Sequence, residues 1–118
     1  MATVKRGDVF YADLNRGTAG GSVQSGLRPV VIVQNDIGNA HSPTTIVVPL
    51  TSKKKKKYLP THVWVEANQE NGLRCDSVAL LEQFQTIDKN DLMDRLGCIR
   101  DMSQIDRGMS ISLGLSMA

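Results

Sequence analysis

The chain has 118 residues, of which 41% are apolar and 22% charged, with a net charge of +2, as is ordinary for a globular domain of this length. We expect a single domain over residues 1–118, located in the cytoplasm, because no apolar run approaches the ~20 residues of a membrane span and no signal-peptide core is present. Cys75 and Cys98 lack the spacing of a metal site or a disulfide framework, so no metal or other cofactor is expected.

The first part of the chain predicts two strands separated by a long loop. Residues 9–14 form a strand candidate that is rich in aromatic and branched side chains. Residues 15–26 include four glycines and predict a mobile loop, of the length that is usually functional. Residues 29–34 contain an uninterrupted apolar run, which is typical of a buried central strand with Pro29 at its first position.

A third strand and a basic loop follow. A turn-forming cluster at residues 35–39 precedes a strand predicted over residues 44–51. Pro49, near the end of that strand, indicates that the strand leaves its ladder there or lies at a sheet edge. Five consecutive lysines at residues 53–57 then predict a loop with a strong positive charge.

The second half of the chain predicts more strands and a short helix. Residues 61–66 alternate polar and apolar side chains as a half-exposed strand does, and residues 77–87 form one long strand or two strands joined by a bend. Asp88 is the expected N-cap of a short helix that has Asp91 at its third position. Residues 96–99 are predicted to form the last strand.

A terminal helix is expected to begin near Asp101 or Ser103. One apolar stripe along it contains Met102, Ile105, Met109 and Leu113. Ile111 and Leu115 fall on nearly the opposite face, which indicates contact with another subunit. Six or seven short strands with one or two small helices favour a mainly β fold, a closed or nearly closed antiparallel barrel with peripheral helices.

This strand order places Arg28 and Thr51 at one edge of the sheet. If the second and third strands are neighbours, the start of one lies beside the end of the other. A guanidinium and a hydroxyl at that edge, under a rim of lysines, form a phosphate site. The lysine run attracts polyanions without reading their sequence, although such a run is also typical of a solvated loop.

Other side chains support nucleic-acid binding less directly. Amides that can read unpaired bases, and aromatic rings that can stack on them, occur at Gln34, Asn35, Gln83, Gln85, Tyr58 and Trp64. Each of these is also common as a plain surface or core residue. His41 and His62 have no evident partner, and no Ser/His/Asp arrangement is apparent. The residues alone favour a small basic barrel that binds nucleic acid through its Arg28–Thr51 edge.

Eight short stretches occur in an order that is far more specific than any one of them. They read KRGDV at 5–9, GLRPVVIVQND at 26–36, SPT at 42–44, LPTHV at 59–63, DSV at 76–78, LEQ at 81–83, TID at 86–88 and ISLGL at 111–115. Together they resemble the MazF/PemK family of toxin–antitoxin ribonucleases, on the MazF side, and they span nearly the whole chain.

The resemblance implies an SH3-like barrel of the MazF/Kid/CcdB type that forms a homodimer. It implies the toxin of a type II toxin–antitoxin system, an mRNA interferase that cleaves single-stranded RNA at specific sequences without a metal ion and so arrests translation. The reaction it implies is attack of a 2′-hydroxyl on the adjacent phosphate, which leaves a cyclic phosphate and a 5′-hydroxyl. The implied partner is a cognate MazE-like antitoxin whose disordered tail blocks the RNA groove.

The resemblance also implies site residues, by position. Arg28 and Thr51 match the family's catalytic arginine and threonine, and the glycine-rich and lysine-rich loops match the two loops that border the RNA channel. The candidate RNA-binding residues are Gln24, Gln34, Asn35, Ser52, Lys53, Lys54, Lys55, Lys56, Glu82 and Gln83. Many relatives carry a glutamate in the first loop where this chain has Val23 before Gln24, so no general base is named.

Two questions stay open at this point. The letters of an Arg-Cys-Asp-Gln motif of the Kid branch recur at Arg74-Cys75-Asp76, but the spacing to the TID stretch places Glu82 and Gln83 at the equivalent position, and we favour the spacing. Two other functions also fit the barrel, namely poisoning of gyrase, as in the CcdB branch, and non-catalytic binding of nucleic acid. The presence of Arg28 and Thr51 argues against gyrase poisoning.

Overall fold

The computed structural model describes residues 3–14, 26–52 and 59–117, and strands dominate these ranges. In chain order the elements are β1 (Asp8–Asp13), β2 (Leu27–Ile32), α1 (Asp36–His41), β3 (Thr44–Thr51), β4 (His62–Val65), β5 (Ser77–Leu80), β6 (Gln85–Asp88), a 3₁₀ turn (Lys89–Asp91), β7 (Leu92–Cys98) and α2 (Ser103–Ser112). Neither α-helix in the described ranges is long and apolar enough to cross a membrane. The expected mainly β fold with small helices is confirmed.

The strands form an antiparallel sheet that curls nearly into a barrel. Their order across the sheet is β4-β5-β3-β2-β1-β7, and β6 pairs with the first half of β3. The two ends of this order are bridged, because the Cys98 N–H of β7 donates to the Glu70 carbonyl, in the turn after β4, over 2.9 Å. Gly72 allows this approach, since a Cβ at that position would lie 2.0 Å from the Leu96 carbonyl oxygen.

The apolar run of β2 is buried on both faces, as predicted for a central strand. Val30 and Ile32 pack into one core cluster with Phe10, whereas Val31 and Val33 pack into a second cluster on the other face. None of these four β2-region residues is more than 5% exposed. A strand that is covered on both faces has no reason to alternate polar and apolar side chains.

Pro29 is not the first residue of its strand, as was predicted, but the third. β2 begins at Leu27, and Pro29 pairs with Tyr11 of β1. Pairing of β2 with β3 starts only at Val30. On the β3 side, therefore, Pro29 lies before the ladder begins, and its missing N–H breaks no bond there.

Pro49 lies where β3 changes neighbours. The first half of β3 pairs with β6 up to Val47, and its end pairs with β5 from Leu50 onward. β3 is therefore a central strand and not an edge strand. The prediction that the strand leaves a ladder at Pro49 is nevertheless correct on the side of β3 that faces β6 and β5. Pro49 has no N–H, and it falls between the end of the β6 ladder and the start of the β5 ladder.

Residues 35–39 belong to a capped helix and not to the predicted turn. The Gly38 N–H donates to the Asn35 side-chain oxygen over 2.8 Å, so Asn35 is the N-cap of α1. Glycine and asparagine inside the helix favour turns, but the cap satisfies a backbone donor that a helix end otherwise leaves open. The cap predicted at Asp88 is confirmed, because its side chain accepts from the Asn90 N–H over 2.8 Å.

The last strands differ in part from the prediction. Residues 77–87 contain two strands, β5 and β6, separated by a bend, which confirms the second of the two alternatives. β7 begins at Leu92 and not at residue 96, and its early residues Met93, Asp94 and Arg95 are exposed. An exposed, polar start carries no apolar alternation, so the sequence did not indicate it as a strand.

The terminal helix begins at Ser103, as predicted. Its stripe is buried at Ile105, and Met102 and Met109 pack partly buried against the core. Leu113 does not continue the stripe, because α2 ends at Ser112 and Leu113 is 58% exposed. The apolar surface at this end of the chain is therefore larger than the predicted second face.

Candidate active site

A cavity of about 340 Å³ opens where the start of β2, the end of β3, the start of β5 and the middle of β7 meet. We call it the Arg28 cavity, and its polar lining includes Tyr11, Arg28, Ser52, Arg74, Ser77 and Asp94. Two guanidinium groups face one carboxylate in this lining. The charge of the described lining is therefore net positive, which suits a phosphate.

Arg28 and Thr51 lie at the same edge of the sheet, as the strand order predicts. The last pair of the β2–β3 ladder at this edge is Val30 opposite Pro49, and Arg28 and Thr51 lie two residues beyond it on their strands. Because side chains alternate along a strand, Arg28 is on the face of Val30 and Thr51 on the face of Pro49, which are the same face of the sheet. Thr51 is 4% exposed and pairs on its other side with Val78 of β5. Burial and the ladder to β5 thus fix the position of Thr51.

His62, for which the sequence indicated no partner, is the centre of a hydrogen-bonded cluster. The Leu59 N–H donates to His62 Nδ1 over 3.1 Å, so Nε2 carries the proton and donates to Glu82 Oε2 over 3.0 Å. The Thr61 hydroxyl donates to Glu82 Oε1 over 3.0 Å. Partial burial by itself raises the pKa of Glu82, but the hydrogen bonds from His62, its own backbone and Thr61 outweigh burial and hold that pKa below its ordinary value.

Replacing Glu82 with glutamine is expected to lower the free energy of unfolding at pH 7 by about 1–2 kcal/mol, the low end for hydrogen bonds to a charged group, because the Glu82 side chain is partly exposed. Because the folded-state pKa is lowered, the carboxylate contributes stability above its ordinary value of 4.5 and loses it as the pH falls through the folded-state pKa. Urea unfolding at pH 7 and pH 3 should show a larger difference from wild type at pH 7 than at pH 3. Glu66→Gln, at an exposed carboxylate, is the control, and an equal loss at both pH values would contradict this account.

Sequence comparison then assigns the chain to a family. A family profile described as PemK-like, MazF-like toxin of type II toxin–antitoxin system matches residues 5–113. This chain belongs to that family. The matched range contains every described strand, together with Arg28 and Thr51, so the PemK/MazF assignment rests on the whole barrel and not on one motif.

Similar proteins support the PemK/MazF assignment. Endoribonuclease EndoA of Bacillus subtilis is 49% identical over 114 residues, which cover 95% of this chain and 96% of the relative. Endoribonuclease MazF of Staphylococcus saprophyticus is 47% identical over 114 residues, or 95% of this chain and 92% of the relative. The solved structure of an endoribonuclease in complex with its cognate antitoxin, from a mycobacterial species, is 26% identical, covers 98% of this chain and 99% of its own, and has a TM-score of 0.76. The barrel expected for the family is confirmed.

In this PemK/MazF chain the structure separates the two stretches that competed for one role. Arg74 and Cys75 line the Arg28 cavity, whereas Glu82 belongs to the His62 cluster. β5 runs away from the cavity after Ser77 and ends at Leu80, and Glu82 and Gln83 lie in the bend that follows. The shared letters thus fall on residues beside Arg28, whereas the two residues that the spacing favours lie outside the cavity lining and stay predicted RNA-binding residues.

The other predicted RNA-binding residues are dispersed. Ser52 lines the Arg28 cavity. Gln34 and Asn35 lie beyond the far end of β2, about 20 Å along an extended chain from Arg28, where Gln34 Nε2 donates to the Thr44 carbonyl over 3.1 Å and Asn35 caps α1. Five predicted residues lie outside the described ranges, namely Gln24, Lys53, Lys54, Lys55 and Lys56.

Sequence reasoning missed Tyr11 and Asp94, which both line the cavity. Tyr11 lies in the strand predicted over residues 9–14, for which the sequence indicated no functional residue, and Asp94 lies in the polar start of β7 that the sequence did not indicate as a strand. If the sequence had predicted the full length of β7, from residue 92, it would have placed Asp94 beside β1 and therefore near Arg28. Across residues 3–14, 26–52 and 59–117, no group of histidine, cysteine, aspartate and glutamate side chains is arranged to hold a metal ion.

Proposed function

We propose that this PemK/MazF-family chain is a sequence-specific, metal-independent endoribonuclease that cleaves single-stranded RNA, mostly mRNA, as the toxin of a type II toxin–antitoxin system. One observation carries the proposal. A half-buried arginine lines a cavity of net positive charge, and a buried threonine lies at the same edge of the sheet. The curated relatives at 49% and 47% identity are endoribonucleases, which supports the same reaction here.

RNA carries its own nucleophile, the 2′-hydroxyl next to each phosphate. Its attack gathers negative charge on the phosphate oxygens before the bond to the 5′ oxygen breaks, and the products are a cyclic phosphate and a 5′-hydroxyl. The Arg28 guanidinium is always protonated, so it donates hydrogen bonds to those oxygens and gains strength as their charge grows. It can also donate a hydrogen bond to the leaving 5′ oxygen, while the 2′-hydroxyl loses its proton to water and the 5′ oxygen takes up a proton from water. The Thr51 hydroxyl donates to the same phosphate and fixes its orientation.

The proposal includes one domain, a cytoplasmic homodimer and a MazE-like antitoxin as partner. The end of the chain offers an apolar surface for such contacts, because Leu113 and Leu115 are 58% and 76% exposed. The mycobacterial relative of known structure was solved with its cognate antitoxin. A disordered antitoxin tail laid over the Arg28 cavity would exclude RNA from Arg28 and so inhibit the toxin.

Incubation of the pure protein with a long single-stranded RNA in EDTA, followed by sequencing of the new ends, tests the proposal. We expect cuts at one recurring short motif, with 5′-hydroxyl ends that a polynucleotide kinase can phosphorylate. Intact RNA in the presence of folded protein would contradict the proposal. A stabilised gyrase–DNA cleavage complex would then indicate gyrase poisoning, and salt-sensitive binding without cleavage would indicate a non-catalytic barrel.

A further inference from the structure

Asp94 reaches the Arg28 cavity through an irregularity in β7. β1 and β7 pair with Ala12 opposite Leu92 and Phe10 opposite Arg95. One residue of β1, Tyr11, therefore stands opposite two residues of β7, which is a β-bulge. Bulges occur next to active sites because they turn a side chain out of the regular alternation of a strand. Here the bulge contains Asp94, which lines the cavity together with Tyr11.

The carboxylate of Asp94 makes no contact that would stabilise the fold among the described residues. Within the part of the chain that the structure describes, its carboxylate has neither a hydrogen-bond nor an ion-pair partner. The neighbouring Arg95 is engaged elsewhere, since its guanidinium lies 3.1 Å from Asp8 Oδ1. Arg74, which shares the cavity with Asp94, forms no ion pair with it among the described residues. An exposed carboxylate thus stands among groups that suit a phosphate.

A carboxylate in an RNA site repels phosphates, so its use must lie with another part of the nucleotide. When ionised it accepts hydrogen bonds and donates none. The matching groups on RNA are the exocyclic amino groups of cytosine, adenine and guanine, and aspartate accepts from such amino groups in nucleic-acid complexes. Uracil has no amino group, and its one Watson–Crick donor, the N3–H, lies between two carbonyl oxygens whose partial negative charge repels the carboxylate of Asp94.

We propose that Asp94 selects the base of the nucleotide held in the Arg28 cavity, by accepting a hydrogen bond from an exocyclic amino group and rejecting uracil. The inference rests on the proposed endoribonuclease function. Arg28 and Thr51 then act on the phosphate of that nucleotide, and Asp94 acts on its base. The bulge in β7 is the element that aims the carboxylate at this position.

The test compares the cleavage motifs of wild type, Asp94→Asn and the control Glu66→Gln on one long RNA in EDTA. Glu66 is also an exposed carboxylate, but it does not line the Arg28 cavity. Wild type and Glu66→Gln should require an amino-bearing base at one position of the motif. In Asp94→Asn we expect the preference for amino-bearing bases over uracil at that position to fall at least tenfold, about the worth of one charge-assisted hydrogen bond. Asparagine can donate to a uracil carbonyl, so uracil-containing sites should gain in rate.

Asp94→Ala removes the hydrogen-bond acceptor without adding the donor that asparagine brings. It should therefore abolish the preference for amino-bearing bases without raising the rate at uracil-containing sites. An unchanged motif in both variants would overturn the inference, and so would a uniform fall in rate at every site, which indicates a general catalytic or structural role for Asp94. A wild-type motif with uracil at every position would overturn it as well. If wild type does not cleave RNA, the proposed function itself fails, and that result differs from wild-type cleavage that Asp94→Asn leaves unaltered.

Discussion

Replacing Arg28 with alanine is expected to reduce RNA cleavage about 1,000-fold while the barrel stays folded, in keeping with the loss of one fixed donor to a developing oxyanion. Arg28 lines the cavity and lies at the edge of the sheet where β2 begins and β3 ends at Thr51. Its side chain is half-buried and belongs to neither core cluster, so its loss should leave packing intact. The measurement is the initial rate of cleavage of a short RNA in EDTA, with circular dichroism to verify the fold.

Two further variants test whether the loss of cleavage is specific to the guanidinium of Arg28. Arg28→Lys keeps the charge but loses the planar fork, so it should recover only part of the rate. Arg100→Ala removes an arginine whose side chain is 81% exposed and paired with Glu70 at 3.2 Å, and it should cleave at the wild-type rate. If Arg28→Ala cleaved within a few-fold of wild type, catalysis would have to be assigned to other residues of the cavity.

Replacing Gly72 with alanine is expected to lower the free energy of unfolding by about 3–5 kcal/mol. Gly72 has a φ of +68°, and an added Cβ would lie 2.0 Å from the carbonyl oxygen of Leu96 and 2.7 Å from its carbonyl carbon. These are backbone atoms of β7, which cannot move aside as a flexible side chain can. The turn after β4 would have to separate from β7, and the bridge between the two ends of the sheet would open. Urea unfolding at pH 7 measures the loss.

Gly114→Ala is the matched control. Gly114 has a φ of +74°, and nothing lies within 4 Å of its added Cβ. Alanine there should incur only the cost of a left-handed backbone, about 1–2 kcal/mol. The difference between the two variants isolates the close approach of Gly72 to Leu96. Equal losses would mean that the bridge between β4 and β7 adds little to stability.

The parts of the fold that were predictable depend on short-range patterns. The apolar run from Val30 to Val33 indicated a central strand because both faces of β2 are buried. The placement of Arg28 near Thr51 followed from one assumption, that β2 and β3 are antiparallel neighbours, and their register agrees with it. The cap at Asp88 was predictable because an N-cap acts through the adjacent residues alone.

The misses depend on contacts that are distant in sequence. His62 gained a partner because the bend after β5 brings Glu82, twenty residues later, onto its ring. Spacing does not show where a strand turns, so it did not indicate that Glu82 lies outside the lining of the Arg28 cavity. Asp94 was missed because the bulge that aims it depends on the register between β1 and β7. The part of the site that depends on the pair β2 and β3, with Arg28 and Thr51, could thus be predicted. The part that depends on the register of β7 against β1, with Asp94, could not.

The change of neighbours along β3 has a consequence for how the molecule opens. A strand with ladder partners on both flanks exchanges its amide protons only when large parts of a domain unfold together, whereas loops and edges exchange through small local openings. β3 has β2 on one side and β6 and then β5 on the other, but Thr51, its last residue, lies beyond the β2 ladder and pairs with β5 alone. The threonine proposed for catalysis therefore lies next to the segment that is released last, and its own position depends on the ladder to β5.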